Sequence, residues 1–178
     1  MTQSVPVRNR TRTELYRDLD TLRQSLGCAV DRPCDPYTLA ALLHCDVAAH
    51  TFDSPRVGGV LLRSGQAFPS KRGIVLLNAA RTPQARRFTL AHELVHFALH
   101  TERQTFFCAI EQTDRQMEWQ ANEGASELLL PYRLLGPLLA AHRHAWAADE
   151  GAWVGKIAKE YGVSATVARI AMRRLLSA

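Results

Sequence analysis

Three patterns in the 178-residue sequence predict an α+β fold, mostly helical with one small three-stranded sheet. Apolar residues recur at three- and four-residue spacing before about residue 45 and again after about residue 82, the period of a buried helix face. Between residues 46 and 78 that period gives way to short β-branched and aliphatic runs separated by turn residues. With 47% of its residues apolar, the chain is long enough to bury one core, so one domain with a small appendage is expected.

The opening residues, MTQSVPVRNRTR, carry charge without an apolar face, and residues 1–12 read as a flexible arm. Thr13 then opens a helical pattern with Leu15, Leu19, Leu22 and Leu26 on one face and Gly27 as its stop. Asp35-Pro36 supplies an N-cap and a proline at the first position of a second helix, whose buried stripe is Leu39, Leu42 and Leu43. Strands are expected at Val47–Phe52, Val57–Leu62 and Gly73–Leu77, in an antiparallel sheet. Thr82-Pro83 starts a long helix running to about His100, and another spans roughly 114 to 130 before Pro131 ends it. Two or three helical segments complete the chain. The expected organisation is an arm (1–12), a main domain (13–150) and a helix-turn-helix-like end (151–178) packed on the same domain.

No run of 7 to 15 apolar residues follows the initial charges and no 18 apolar residues occur in succession, so neither a signal peptide nor a membrane span is expected and the location is taken as cytoplasmic. Cys28, Cys34, Cys45 and Cys108 form no C-x-x-C pair and read as buried or incidental thiols. The net charge of +5 is compatible with an acidic partner without requiring one.

The chemistry lies in FTLAHELVH, residues 88–96. On a helix, His92 and His96 are offset by about 40° with Cβ atoms about 5 to 6 Å apart, so two imidazoles can reach one zinc ion at about 2.0 to 2.1 Å. Glu93, about 100° round the helix, stands beside such an ion, where its carboxylate can act as general base on water. Leu90, Ala91, Leu94, Val95 and Leu99 bury the helix. A metzincin would carry Gly and His where this chain has Leu99 and Glu102, so the third ligand must come from elsewhere. His100 lies about 12 Å along the axis from His92, too far to share its ion, and either supports a ligand or packs.

Helical phase separates the acids of the next helix. Glu118, Ala121, Asn122, Ala125 and Leu129 share one small, mostly apolar face, whereas Gln116, Gln120, Glu123 and Glu127 share a polar one. Glu118 is therefore the expected third ligand, reached because small residues let the two helices approach, and Glu123 is expected at the solvated surface. Two histidines and one glutamate leave the fourth position open, as in a catalytic zinc site. Asn122 either orients a ligand or ties the two helices together.

The run Arg87-Phe88-Thr89-Leu90-Ala91-His92-Glu93-Leu94-Val95-His96-Phe97-Ala98-Leu99-His100, then Glu118-Trp119-Gln120-Ala121-Asn122, then Glu127-Leu128-Leu129-Leu130-Pro131, resembles the ImmA/IrrE family of bacterial metallopeptidases. The resemblance runs from about Asp35 to the C-terminus. It implies a zincin-like (gluzincin) domain with zinc held by His92, His96 and Glu118 and with Glu93 as base. It also implies a protein substrate, a helix-turn-helix transcriptional repressor, whose removal derepresses mobile-element or stress-response genes. Three residues depart from the family pattern: Val95 replaces the preferred Gly, Gly124 an aromatic or bulky residue, and Leu130 a Met.

The last segment, WVGKIAKEYGVSATVARIAMRRLL, has helix-turn-helix spacing and carries Lys156, Lys159, Arg169, Arg173 and Arg174. A DNA-binding regulator is the competing reading, and a repressor-binding protein that does not cut is a third. Trp119, Trp146 and Trp153 are expected to pack, and Arg86-Arg87 to be surface charge.

Overall fold

A computed structural model describes residues 8–63, 72–100 and 115–176. The first seven residues of the expected arm, Glu102 and Cys108 lie outside the described residues. Thr11 caps the first helix, α1 (Arg12–Ser25), with a full capping box in which Thr11 accepts from the Glu14 backbone and Glu14 reaches back to the Thr11 backbone. Asp35 caps α2 (Pro36–Leu42), with Pro36 at its start, as its side chain accepts from the Thr38 N–H. Leu39 and Leu43 are buried as expected; Leu42 is exposed, because a seven-residue helix covers only part of its circumference.

The strands are β1 (Cys45–His50), β2 (Gly59–Arg63) and β3 (Gly73–Asn78), in the order β1-β3-β2. The sheet is mixed, not wholly antiparallel: β2 runs antiparallel to β3, with Leu61 opposite Val75, while β1 runs parallel to β3, with Val47 opposite Val75. Burial explains the difference. β3, Gly-Ile-Val-Leu-Leu-Asn, is the most buried strand and takes the centre, whereas β1 exposes Asp46, Ala48, Ala49 and His50 and stays at the edge. Successive strands alternate in direction, so placing the third beside the first makes that pair parallel.

Helices α3 (Pro83–Leu99) and α4 (Arg115–Leu129) form the centre of the molecule. One side of the pair joins Leu15 and Leu19 of α1, Leu39 of α2 and Leu61, Val75 and Leu77 of the sheet in a core with Leu90, Leu94 and Leu128. The other side, Ala91, Ala125 and Leu129, receives the C-terminal helices: α5 (Tyr132–Ala141), α6 (Arg143–Ala148), α7 (Glu150–Tyr161) and α8 (Ala165–Leu176). The tail thus has four helices where two or three segments were expected. Val154, Ile157, Ala168 and Met172 bury the α7–α8 pair in this second core, with Trp146 and Trp153 packed partly buried against it.

The polar face of α4 is not a surface. Gln120 and Glu123 are fully buried, because the chain's first described residues and α8 cover them. Glu123 accepts from Tyr16 Oη at 2.6 Å and Arg12 Nε at 3.0 Å, and it pairs with Arg174 Nη1 at 2.8 Å. Arg10, expected in the flexible arm, is buried and donates to Asp18 at 2.8 Å and Gln120 at 3.0 Å. The polar residues of this face answer the arginines near the start of the chain. Arg87 also differs from the surface charge expected: its Nη1 donates to the Tyr161 carbonyl at 2.6 Å, tying α3 to the end of α7. There Gly162 has φ +63°, which favours glycine, and a Cβ on it would lie 2.7 Å from Arg87 Nη1, so the guanidinium would have to shift from its place on the Tyr161 carbonyl.

Two of the three departures from the family pattern compensate one another. A Cβ on Gly124 would lie 2.9 and 3.1 Å from the two γ-carbons of Val95. Val95 therefore fills the space that Gly124 vacates.

Two outcomes follow for stability. Glu123→Ala should destabilise the protein by about 3 kcal/mol in urea unfolding, because it strands cationic and hydroxyl partners of a buried carboxylate. Gly124→Ala should be destabilising by about 1 to 3 kcal/mol despite its better helix propensity, because the stiff, β-branched Val95 cannot move aside. Val95→Ala should relieve most of that loss in the double mutant, a coupling that a double-mutant cycle measures.

Candidate metal centre

Thr82 caps α3 by accepting from the Ala85 N–H, and Pro83 sets its first turn. From that start the helical phase carries His92, Glu93 and His96 towards α4. At the far end Arg63 of β2 donates to the carbonyls of His96, Phe97 and His100 at 2.6, 3.1 and 3.3 Å, with its guanidinium over the Phe97 ring. A cation fixed on the last carbonyls of a helix complements the negative end of its dipole. It also locks the sheet to the histidine-bearing turn. Gly58 and Gly59 let β2 come close to α3 at the other end: a Cβ on Gly59 would lie 2.7 Å from the Thr89 γ-methyl carbon.

Ala121, Ala125 and Gly124 on α4 face Ala91 and Val95 on α3, and all are buried. This close approach brings Glu118 to the histidines. The Nε2 atoms of His92 and His96 lie 3.1 Å apart, and the Glu118 carboxylate presents one oxygen to each, at 3.4 and 3.3 Å. One ligand atom from each of the three residues lies within 4.8 Å of the others, and two imidazoles with one carboxylate are a donor set that suits a metal ion such as zinc. His92, His96 and Glu118 are the group among the described residues able to hold a metal.

The flanking hydrogen bonds favour the same use. His92 Nδ1 lies 3.2 Å from Asn122 Oδ1, which as an acceptor calls for a proton on Nδ1 and leaves Nε2 bare. His96 Nδ1 lies 2.9 Å from His100 Nδ1, and His100 Nε2 lies 3.3 Å from Gln120 Oε1. His100 and Asn122 thus stand directly behind the two histidines.

The adjoining His92 and His96 hold the Glu118 carboxyl well below its usual value of 4.5, so it is anionic. Burial opposes charge on His92, but the adjoining Glu118 and the charge of Glu93 raise its pKa overall. Glu93 is raised, first by burial and then by the charge of Glu118, against the pull of the two histidines. Its Oε2 is buried and has no hydrogen-bond partner among the described residues. A carboxylate with raised proton affinity beside a metal-type donor set suits a general base.

Residues 46–173 match the IrrE N-terminal-like domain, a peptidase family. The chain belongs to this family. It is 28% identical over 116 residues to the radiation response metalloprotease IrrE of Deinococcus deserti, a stretch covering 60% of this chain and 38% of that protein. Its fold resembles that of a Mycobacterium tuberculosis transcriptional regulator, with a TM-score of 0.56 at 16% identity, over 88% of this chain and 45% of that one. The chain therefore spans less than half the length of either relative. The matched stretch contains His92, Glu93, His96 and Glu118, and no helix among the described residues is long and apolar enough to cross a membrane.

Sequence reasoning brought together His92, His96, Glu118 and Asn122 and put His100 next to them. It missed Arg63 and Gln120. Arg63 carries no local signal, since its partners are carbonyls more than thirty residues away. For Gln120 the available signal was the pair Arg10 and Arg12, whose guanidiniums donate to Gln120 and Glu123 on that α4 face.

Burial, reinforced by the charges of His96, Arg10 and Arg63, holds the His100 pKa down at about 4, against the Gln120 hydrogen bond. Between about 4 and the ordinary 6.5 the unfolded chain then binds a proton that the folded chain does not. This contribution to stability is complete above pH 6.5 and is lost as pH falls towards 4. Urea unfolding of metal-free protein should show that loss, and His100→Gln should remove that part of the pH dependence.

Proposed function

We propose that the chain is a zinc-dependent metalloendopeptidase that hydrolyses a peptide bond in a protein substrate, a helix-turn-helix transcriptional repressor. The observation that carries the reading is the convergence of His92, His96 and Glu118 beside the buried Glu93, whose Oε2 has no hydrogen-bond partner among the described residues. His92, His96 and Glu118 would hold the ion, which when bound supplies Lewis-acid polarisation of the scissile carbonyl and acidifies water. Glu93 takes the proton of the attacking water and delivers it to the departing amine, a task suited to a carboxylate whose proton affinity burial has raised. Asn122 and His100 orient the two imidazoles. β2 is an edge strand beside α3, so an extended substrate pairing along its open side would lie near the site.

A repressor as substrate rests on the family resemblance; the named relatives, a radiation response metalloprotease and a transcriptional regulator, accord with a role in gene control. Contacts of the basic tail within the chain favour a structural role over DNA binding. Arg169 and Arg173 pair with Glu150, Arg174 reaches the buried Glu123, and Lys156 lies over Trp153. These charges serve intramolecular contacts, and the filled Glu93 position argues against a protein that only binds its repressor.

Purified protein should hold about one zinc per chain, and His92→Ala or His96→Ala should lose it, since the remaining imidazole binds weakly. Glu93→Gln should keep zinc and fold while cleavage of the cognate repressor falls by about 10²- to 10⁴-fold, the size of a lost general base. Metal content by mass spectrometry and a cleavage assay test both. Wild-type turnover by Glu93→Gln, or full zinc occupancy in the double histidine mutant, would overturn the reading.

A further inference from the structure

A line of hydrogen bonds joins the start of the chain to the metal centre, and each group in it leaves the next only one role. Gln120 is fully buried on α4. Arg10 Nη1 donates to its Oε1 at 3.0 Å, while its Nε2 donates to the Arg8 carbonyl at 3.0 Å. A guanidinium can only donate and a carbonyl can only accept, so these two partners fix which way the amide points. The same Oε1 faces His100 Nε2 at 3.3 Å. Because that oxygen only accepts, His100 carries its proton on Nε2, and as a neutral ring it turns a bare Nδ1 towards His96. His96 Nδ1, 2.9 Å away, must then be the donor. The lone pair of His96 is left on Nε2, the atom that faces His92 Nε2 and Glu118.

We propose that Gln120, locked by Arg10, is a positioning residue of the metal centre: through His100 it sets the tautomer in which His96 can bind a metal ion. The inference rests on the metal-binding role proposed above. Turning the amide over would present its NH₂ to His100. Each proton along the line would then shift to the other nitrogen, leaving one on His96 Nε2, where it blocks ligation. Arg8 and Arg10 hold the amide from outside residues 46–173, the part of the chain that matches the family. Docking of the first residues of the chain is thereby coupled to metal affinity.

The test uses the full-length, metal-free protein and two readouts. Long-range proton–nitrogen NMR correlations of the imidazoles report which nitrogen of each ring is protonated, and zinc affinity is measured by competition with a chelator. In wild type, His96 should be protonated at Nδ1 and His100 at Nε2. Arg10→Ala frees the amide, and Gln120→Leu removes the acceptor. Both should give mixed tautomers at His96 and bind zinc about 10- to 100-fold more weakly, the range for lost support behind a metal ligand. Arg10→Lys, which keeps a cationic donor, should recover most of the affinity. Should Gln120→Leu fail to fold, Arg10→Ala decides alone. A wild-type His96 protonated at Nε2, or a folded Arg10→Ala with wild-type tautomers and zinc affinity, would overturn the proposal. If wild type itself binds no zinc, the metal reading fails, while the ring-nitrogen spectra still decide the relay.

Discussion

The close packing of α3 on α4 is the constraint on which the rest of the structure depends. Val95 packs against Gly124 and shares a core with Ala121, as Ala91 does with Ala125, and that approach lets a carboxylate on one helix reach two imidazoles on the other. A glycine inside a helix is destabilising by about 1 kcal/mol relative to alanine, and here the packing of Val95 into the vacated space offsets it. Both cores radiate from this pair: one between it and the sheet, α1 and α2, the other between it and the C-terminal helices. The remaining elements hold the pair in register.

Charge is used in the same way. Arg63 fixes the end of α3 to the sheet, Arg87 fixes its start to the end of α7, and Glu123 gathers α1, α4 and α8 about one buried carboxylate. Each is a long side chain meeting backbone carbonyls or a buried acid, where water cannot compete effectively. The acceptors behind His92 and His96, Asn122 Oδ1 and His100 Nδ1, belong to the same scheme, since an imidazole binds a metal only through the nitrogen that its other hydrogen bond leaves bare.

What was legible in the sequence were features with a local period or a local cap. Asp35-Pro36, Thr82-Pro83 and the 3.6-residue spacing placed α2, α3 and α4, and the phase of Glu118 against His92 and His96 placed the site. What was not legible depended on which distant segment covers which face. Glu123 looks like a surface acid until α1 and α8 are laid over it, and β1 looks like part of a hairpin series until the more buried β3 claims the centre. Arg10 belongs to an apparently loose arm until Gln120 and Asp18 give it partners. In each case the local pattern is the same for both outcomes, and long-range contact decides.

The central claim is that His92, His96 and Glu118 together bind one metal ion. The X-ray absorption spectrum at the zinc edge, taken on protein loaded with one equivalent of zinc, tests it most directly. The account predicts two imidazoles at about 2.0 to 2.1 Å with oxygen completing the shell, and one imidazole fewer in His92→Ala. A sulfur shell from the cysteines, or an all-oxygen shell unchanged in His92→Ala, would contradict it.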